Sequence, residues 1–254
     1  MQALLLSAGL GTRLMPYTEI LPKPLMPIHK RPLIEYWLNT LNNKFITKVF
    51  INVFYKKELI IEFIESVRDD YYYEIEIIEE SELCGTAGTI AQNIKTFTSD
   101  MLVLHVDNFG LFDISEFCKY ARTFSSDMVF MAFKTDYPES CGIFTLDKNK
   151  KILSFEEKPL YPKSNIANAA IYYISKKVIE YIQKHKLKDF SNEVIPFFAK
   201  GSPVFEVKDI FFDIGNFNQL KKANNLIVKH TPHKKNRWIE SRYLKTIEPI
   251  INDF

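Results

Sequence analysis

An apolar run, Gln2–Leu6, leads directly into Ser7-Ala8-Gly9-Leu10-Gly11-Thr12-Arg13-Leu14. Pro22-Lys23-Pro24-Leu25 follows, with Lys23 ten residues beyond Arg13. A glycine-rich turn after a strand lets backbone N–H groups approach phosphate oxygens with no Cβ in the way. The spacing is not that of a dinucleotide fingerprint, because G-x-G continues as T-R-L without a third glycine in place; G-x-x-x-x-G-K-[ST] is also absent. This loop instead carries its own fixed cations, Arg13 and Lys23. Two cations flanking a nest of backbone donors suit a triphosphate whose leaving group is pyrophosphate.

Two carboxylates stand at comparable places. Asp107 ends the apolar stretch Met101–Val106, and Asp213 ends Ile210-Phe211-Phe212. The carboxyl edge of a parallel sheet is where such folds bind ligands, although either aspartate taken alone reads as a helix N-cap. Together with the loop, the pair suits Mg²⁺, which takes one or two protein oxygens and completes its octahedron with water and phosphate oxygens. Gly85-Thr86-Ala87-Gly88 reads as a turn into a helix, beside the acidic run Glu79, Glu80 and Glu82. That run is either a solvated cluster or the source of one carboxylate for a base edge. The five histidines show no metal spacing, and His105 reads as a packed or hydrogen-bonded strand residue. Cys84, Cys118 and Cys141 form neither a disulfide framework nor a zinc pattern and are assigned to packing.

These residues need a scaffold that delivers them to one edge. Gln2–Leu6, Lys48–Phe54, Met101–Val106 and Asp127–Phe133 read as buried strands, and Tyr73–Ile78 alternates with Ile75 and Ile77 on one face. Between them, Ile34, Trp37, Leu38 and Leu41 recur at helical spacing, with Pro32 opening the first turn, and Leu59–Val67 repeats the pattern. Strands alternating with helices imply βαβ units and a parallel sheet. From about 141 the rhythm changes to the short strand-like pieces Ile143–Leu146, Ile152–Phe155, Ala170–Ile174 and Val204–Val207, with helices near 176–185 and 191–200. The expectation is one continuous α/β unit over 1–228, with a nucleotide-binding part (1–135) and a mixed or antiparallel part (136–228). A basic tail, 229–254, follows, and its basic stretch 229–242 reads as solvated or partly frayed chain in preference to a partner-binding patch.

The string from Ser7 to Ile28, S-A-G-L-G-T-R-L-x-P-x-T-x-x-x-P-K-P-L-x-P-I, resembles the signature of the sugar-phosphate nucleotidyltransferases. Further motifs follow in family order: Leu83-Cys84-Gly85-Thr86-Ala87-Gly88, Asp107, Phe155-Glu156-Glu157-Lys158-Pro159, Asn168-Ala169-Ala170-Ile171-Tyr172 and Phe212-Asp213-Ile214-Gly215. His105-Val106-Asp107-Asn108 and Ser140-Cys141-Gly142-Ile143 are similar to a short bacterial subgroup labelled mannose-1-phosphate guanylyltransferase-like. The resemblance implies a Rossmann-like, mostly parallel sheet flanked by helices, with a smaller acceptor-binding portion. It implies that Leu6, Ala8, Gly9, Gly11 and Thr12 line the nucleotide with Glu80, Gly85, Thr86 and Asp107, and that Arg13 and Lys23 are catalytic as well as nucleotide-binding. Gly142, Glu157, Lys158 and Asn168 fall at acceptor positions, and Asp107 with Asp213 at the Mg²⁺ site. The implied reaction moves a nucleoside monophosphate from an NTP onto a phosphorylated acceptor, a sugar 1-phosphate, for surface polysaccharide synthesis. Ala follows Asn168 where the family commonly has Gly, Val106 replaces the Gly that often precedes the first metal aspartate, and Asn216 stands where Thr is frequent. These departures keep a second reading open, a cytidylyltransferase acting on a phosphocholine-like or phosphoramidate-like phosphate. A non-catalytic subunit that binds nucleotide sugar is the reading from another class.

Composition narrows the classes from the other side. The chain has 254 residues with 33 Lys+Arg against 31 Asp+Glu, a balance unsuited to nucleic-acid binding by bulk electrostatics. No apolar run approaches the roughly 18 residues of a membrane span, and the N-terminus lacks the basic region of a signal peptide, so a cytoplasmic location is expected. A homodimer, if one forms, is expected to use the core or the tail. There are 8 glycines where average usage would give about 18. Most of them fall in the motifs named above.

Overall fold

A computed structural model describes residues 1–93, 95–226, 236 and 238–252. The chain begins with β1 (Gln2–Leu6), the candidate loop, a short hairpin of β2 (Pro27–Ile28) and β3 (Arg31–Pro32), and α1 (Leu33–Leu41). It continues through β4 (Lys48–Val53), α2 (Lys57–Val67), β5 (Glu74–Glu79), α3 (Gly88–Gln92), β6 (Met101–His105), β7 (Asn108–Leu111), α4 (Ile114–Arg122) and β8 (Met128–Lys134). The second half holds β9 (Gly142–Leu146), β10 (Ile152–Glu157), β11 (Ile166–Ile174), α5 (Lys176–His185), α6 (Ile195–Phe198), β12 (Val204–Glu206), β13 (Ile210–Asp213) and α7 (Phe217–Leu226). A helix with a widened first turn, Ile239–Tyr243, continues as α8 (Leu244–Ile251). Pro32 stays extended, with φ −60° and ψ 136°, and caps α1 rather than entering it. As a residue without an N–H, it ends the hairpin and starts the helix at no cost in hydrogen bonds.

Strands β6, β1, β4 and β5 lie side by side and parallel, with Leu6 of β1 opposite His105 on one side and Asn52 on the other. Both faces of this sheet are covered along β1, β4 and β6, which are almost wholly apolar, whereas the edge strand β5 alternates Glu and Ile. Ala3 and Leu5 face one core together with Trp37, Ile64 and Phe117, while Leu4 and Leu6 face a second core with Phe50, Ile90 and Ile179. Ile34, Trp37, Leu38 and Leu41 of α1 are all fully or almost fully buried, as their helical spacing requires.

The change of rhythm is a change of direction. β11 runs antiparallel to both β6 and β8, and β9 and β10 pair antiparallel beside it. It begins at Ile166 rather than Ala170, because one of its edges serves two strands. Ile171–Ile174 pair with β6, Ile166–Ala167 pair with β9, and the register to β8 shifts between Asn168 and Tyr172. Ala170, at φ +52°, makes this bend. The sheet therefore splits beyond the carboxyl end of β6, and the split opens the candidate site. A two-stranded ladder of β7 and β13 crosses beside it and sets Asp213 opposite Asn108.

The expectation of a solvated tail is corrected where the structure describes that stretch. Ile239, Tyr243, Ile247 and Ile250 are buried on one helical stripe, Trp238 packs on Phe63 at 5.4 Å, and Arg242 pairs with Glu62. An apolar stripe every third or fourth residue outweighs the basic composition that suggested solvent. His230, His233, Lys234, Lys235 and Arg237 lie outside the described residues. Among the described residues no helix is long and apolar enough to cross a membrane.

Candidate active site

The loop after β1 is shaped from below by buried polar groups. The Ser7 N–H donates to Asn52 Oδ1 at 2.7 Å, and the Ser7 hydroxyl donates to the Asn52 carbonyl. Asn52 Nδ2 donates in turn to Glu80 Oε1 at 2.8 Å and to Thr89 Oγ1 at 3.0 Å, and the Thr89 hydroxyl donates to the same Glu80 oxygen at 2.5 Å. The Cys84 N–H reaches Glu80 Oε2 at 3.3 Å. Glu80 thus lines the cleft while its carboxylate binds β4, β5 and α3 together. Asn52 and Thr89 carry no motif, and the one signal for Asn52 is a polar residue near the end of an otherwise apolar strand. Gly11 turns the loop at φ +66°, where a Cβ would press on Thr18 at 2.9 Å and Lys23 at 3.0 Å. Glycine is needed there for both the angle and the space.

Leu6, Ala8, Gly9, Gly11, Thr12 and Arg13 share one cavity of about 430 Å³ with Lys23, Glu80, Gly85, Thr86 and Asp107. All eleven expected nucleotide-side residues therefore meet in one place. Lys23 is nearly buried, and its ammonium stands 3.4 Å from Asp107 Oδ2. Burial alone would raise the Asp107 carboxyl, but Lys23, His105 and Arg13 together hold it below the ordinary carboxylate range. Asp213 comes in from the crossing ladder, where the Ile214 N–H donates to the Asp107 carbonyl at 2.9 Å. Burial raises its carboxyl, and the neighbouring Asp107 charge adds to that, against Lys23, Arg13 and Lys158. A Cβ on Gly215 would lie 2.2 Å from Asp213 Oδ2 and 3.1 Å from an Arg13 guanidinium nitrogen, so the absent side chain is what lets these two groups approach. Arg13 and Asp213 also border a second cavity of about 460 Å³, lined by Tyr137, Cys141 and Gln219.

Gly85 and Thr86, which line the cavity, are backed by a segment without a sequence signature. Gly85 lies against Lys188, whose carbonyl accepts from the Ala87 N–H at 2.9 Å, and Thr86 Oγ1 accepts from the Phe190 N–H at 2.9 Å. His105 also borders this cavity. Its ring stands edge-on to Tyr172 at 6.3 Å, its Nε2 is buried with no hydrogen-bond partner, and burial lowers its pKa.

The four expected acceptor residues gather outside the 430 Å³ cavity, at the split in the sheet. Gly142 opens β9 in register with Glu157, and a Cβ there would sit 2.7 Å from Glu157 Oε2. Lys158 follows at φ +46°, exposed, with its ammonium 3.9 Å from Glu157. Burial raises the Glu157 carboxyl, against Lys158 and the Ser191 hydroxyl, so Ser191 and the nearby Asp189 join this corner. Asn168 is turned inward: Nδ2 donates to the Tyr172 hydroxyl at 2.8 Å and Oδ1 accepts from the Ala170 N–H at 3.0 Å. It shapes the bend of β11.

Among the described residues no three of His, Cys, Asp and Glu gather to hold a metal. Asp107 and Asp213 remain as a two-carboxylate set, adjacent through their backbones and mutually repelling. That donor set fits an ion which keeps most of its shell as water and phosphate oxygen.

A loop rich in backbone donors, two cations and two coupled carboxylates at the carboxyl edge of a parallel sheet define a nucleotidyltransferase-type site, and the chain belongs to the nucleotidyl transferase family, whose model matches residues 2–230. It is 32% identical over 189 residues to the bifunctional protein GlmU of Methanocaldococcus jannaschii, covering 74% of this chain and 43% of that protein. It is 29% identical over 221 residues to the D-glycero-alpha-D-manno-heptose 1-phosphate guanylyltransferase of Campylobacter jejuni, covering 85% of this chain and 95% of that one. A crystal structure of a putative glucose-1-phosphate thymidylyltransferase from Bacillus anthracis superposes with a TM-score of 0.81 at 24% identity, covering 92% of this chain and 98% of that chain. That likeness speaks to the fold. The chain spans about half the length of several curated relatives that it matches.

Proposed function

We propose that the chain is a Mg²⁺-dependent nucleotidyltransferase that moves a nucleoside monophosphate from an NTP onto a sugar 1-phosphate, releasing pyrophosphate. The observation that carries this reading is the approach of Lys23 to Asp107 at 3.4 Å inside the cavity formed by the Gly9–Arg13 loop. The triphosphate lies on the backbone donors of that loop, with Lys23 at the reacting phosphate and Arg13 at the β- and γ-phosphates. Lys158 and Glu157 hold the acceptor, the first through its phosphate and the second through hydroxyl groups. An acceptor phosphate oxygen attacks the α-phosphorus as the α–β P–O bond breaks, and the electron pair leaves with pyrophosphate. No general base is needed, because a phosphate dianion is already nucleophilic. Asp107 and Asp213 would hold Mg²⁺, which when bound neutralises and orients phosphate oxygens. Catalysis is positioning plus charge stabilisation.

The name of the relative from Campylobacter jejuni supports GTP with a manno-configured sugar 1-phosphate as the first pair, and the nucleotide sugar so formed is proposed to feed surface polysaccharide synthesis. Such a role belongs in the cytoplasm, where nucleoside triphosphates are available. The test is a matrix of GTP, CTP, UTP and dTTP against hexose and heptose 1-phosphates and phosphocholine, scored by pyrophosphate and by product mass. Product with one sugar 1-phosphate is expected. Turnover confined to CTP with phosphocholine would replace the sugar reading, and no turnover with any pair would refute nucleotidyl transfer.

A further inference from the structure

We propose that the C-terminal helix positions Lys23 through the hydroxyl of Tyr243. Lys23 opens the short turn Lys23–Leu25, which is flanked and interrupted by Pro22 and Pro24. Two prolines remove two backbone donors, so the turn has few bonds of its own: Leu25 N–H to Pro22 O at 2.8 Å and Met26 N–H to Lys23 O at 3.0 Å. The Leu25 carbonyl is taken from outside. The Tyr243 hydroxyl, fully buried, donates to it at 2.7 Å. The hairpin that follows is pinned in the same manner. Tyr36 on α1 donates to the Ile28 carbonyl at 2.9 Å, and Asn224 on α7 donates to the Pro27 carbonyl at 2.9 Å while accepting from the His29 N–H at 2.8 Å.

The helix bearing Tyr243 is anchored independently at its far side. Arg242 and Trp238 both reach Glu62 on α2, and Asn236 Nδ2 donates to the Ser66 carbonyl at 3.1 Å. It is a strap from α2 to the turn that carries the catalytic ammonium. Lys23 is the only cation within 4.0 Å of Asp107 among the described residues. A shift of its backbone therefore moves the charge that Asp107 and the reacting phosphate both use. Tyr243 is a positioning residue, acting through Lys23.

The kinetic part of the test rests on the nucleotidyl-transfer reading, and the exchange part does not. Tyr243→Phe removes one hydroxyl and keeps the ring in its packing. Tyr73→Phe is the control: Tyr73, also buried, donates from its hydroxyl to the Leu38 carbonyl at 2.8 Å, away from the cleft. Tyr243→Phe is expected to lower kcat/KM for pyrophosphate release about three- to tenfold, the worth of one buried hydrogen bond, while Tyr73→Phe changes it less than about twofold. In a Lys23→Ala background the Tyr243→Phe effect should disappear, since coupled residues are not additive. Amide exchange at Leu25 and Met26 should quicken about three- to tenfold in Tyr243→Phe and not in Tyr73→Phe. Equal losses in the two Tyr→Phe variants, an undiminished Tyr243→Phe effect without Lys23, or unchanged exchange at the turn would each overturn the strap. If the wild type releases no pyrophosphate with any pair, nucleotidyl transfer falls and the exchange result decides the strap alone.

Discussion

Lys23 stands against Asp107 at the floor of the cleft. The ammonium keeps the carboxylate ionised against its burial, and the carboxylate gives the nearly buried ammonium a partner. Asp107→Asn keeps the shape and removes the charge, so turnover should fall about 10²–10³-fold in a pyrophosphate-release assay, the usual scale for one positioned charge. Near wild-type turnover would remove Asp107 from the proposed mechanism. Ala170 is the other residue whose identity matters locally. It holds φ +52° at the bend of β11, a conformation that costs an L-residue roughly 1–2 kcal/mol. Ala170→Gly should therefore raise stability by about 1 kcal/mol in urea unfolding, the larger backbone entropy of glycine offsetting part of the gain. Destabilisation would mean that the methyl group packs usefully at the split.

At the scale of elements, caps and buried networks decide which segments hold firm beside the cleft. Helix α4 begins at Asp113, whose carboxylate accepts from the Ser115 N–H at 2.8 Å and the Ser115 hydroxyl at 2.6 Å. Those two bonds hold the carboxyl below its ordinary value, the hydroxyl contributing more. A depressed folded-state pKa means that the cap stabilises above the unfolded value of about 3.9 and is lost as pH falls through the folded one. Asp113→Ala should cost about 1 kcal/mol at pH 7, and the gap to wild type should close as the pH falls below about 4 in thermal melts. A gap independent of pH would show that packing rather than the charged cap is responsible. The network of Ser7, Asn52, Glu80 and Thr89 works on the same scale. It satisfies buried donors and acceptors from three strand ends and α3, so the loop above it has one shape.

Across the whole molecule, the last helix belongs to the core as much as β1 does. Ile239, Tyr243, Ile247 and Ile250 are each at most 2% exposed. Burying such side chains contributes roughly 1.5–3 kcal/mol each, so removing residues 236–254 should lower stability by more than about 4 kcal/mol, or leave the remainder unfolded. Chemical denaturation of the shortened chain, read by circular dichroism, measures this. A shortened chain with wild-type stability would mean that the helix merely rests on the surface. The same view explains why the cleft needs distant segments: its loop, floor and walls come from residues near 9, 85, 107 and 213, joined only when β6, β11 and the β7–β13 ladder are in register.

The parallel half of the sheet was legible in the sequence because β1, β4 and β6 are apolar on both faces, β5 alternates, and α1 and α2 each show one apolar stripe. Those are local patterns, and β1, α1, β4 and β6 fall where they indicate. The glycine loop with Arg13 and Lys23 and the two aspartates at strand ends were legible as candidates for a related reason, since residue type and spacing point to phosphate and cation chemistry, whereas Glu157 and Lys158 stood out only through the family resemblance. Three features were decided by tertiary structure alone. The bend at Ala170 exists because two strands compete for one edge of β11, and no window of sequence contains that competition. Lys188, Asp189 and Ser191 meet Gly85 and Glu157 only because the chain after α5 returns them there. The basic segment near the C-terminus ends in a docked helix because its apolar stripe meets α2 and the Lys23 turn, 170 or more residues earlier in the chain. Composition and spacing thus determined what chemistry the chain can do, and long-range packing decided where each group stands to do it.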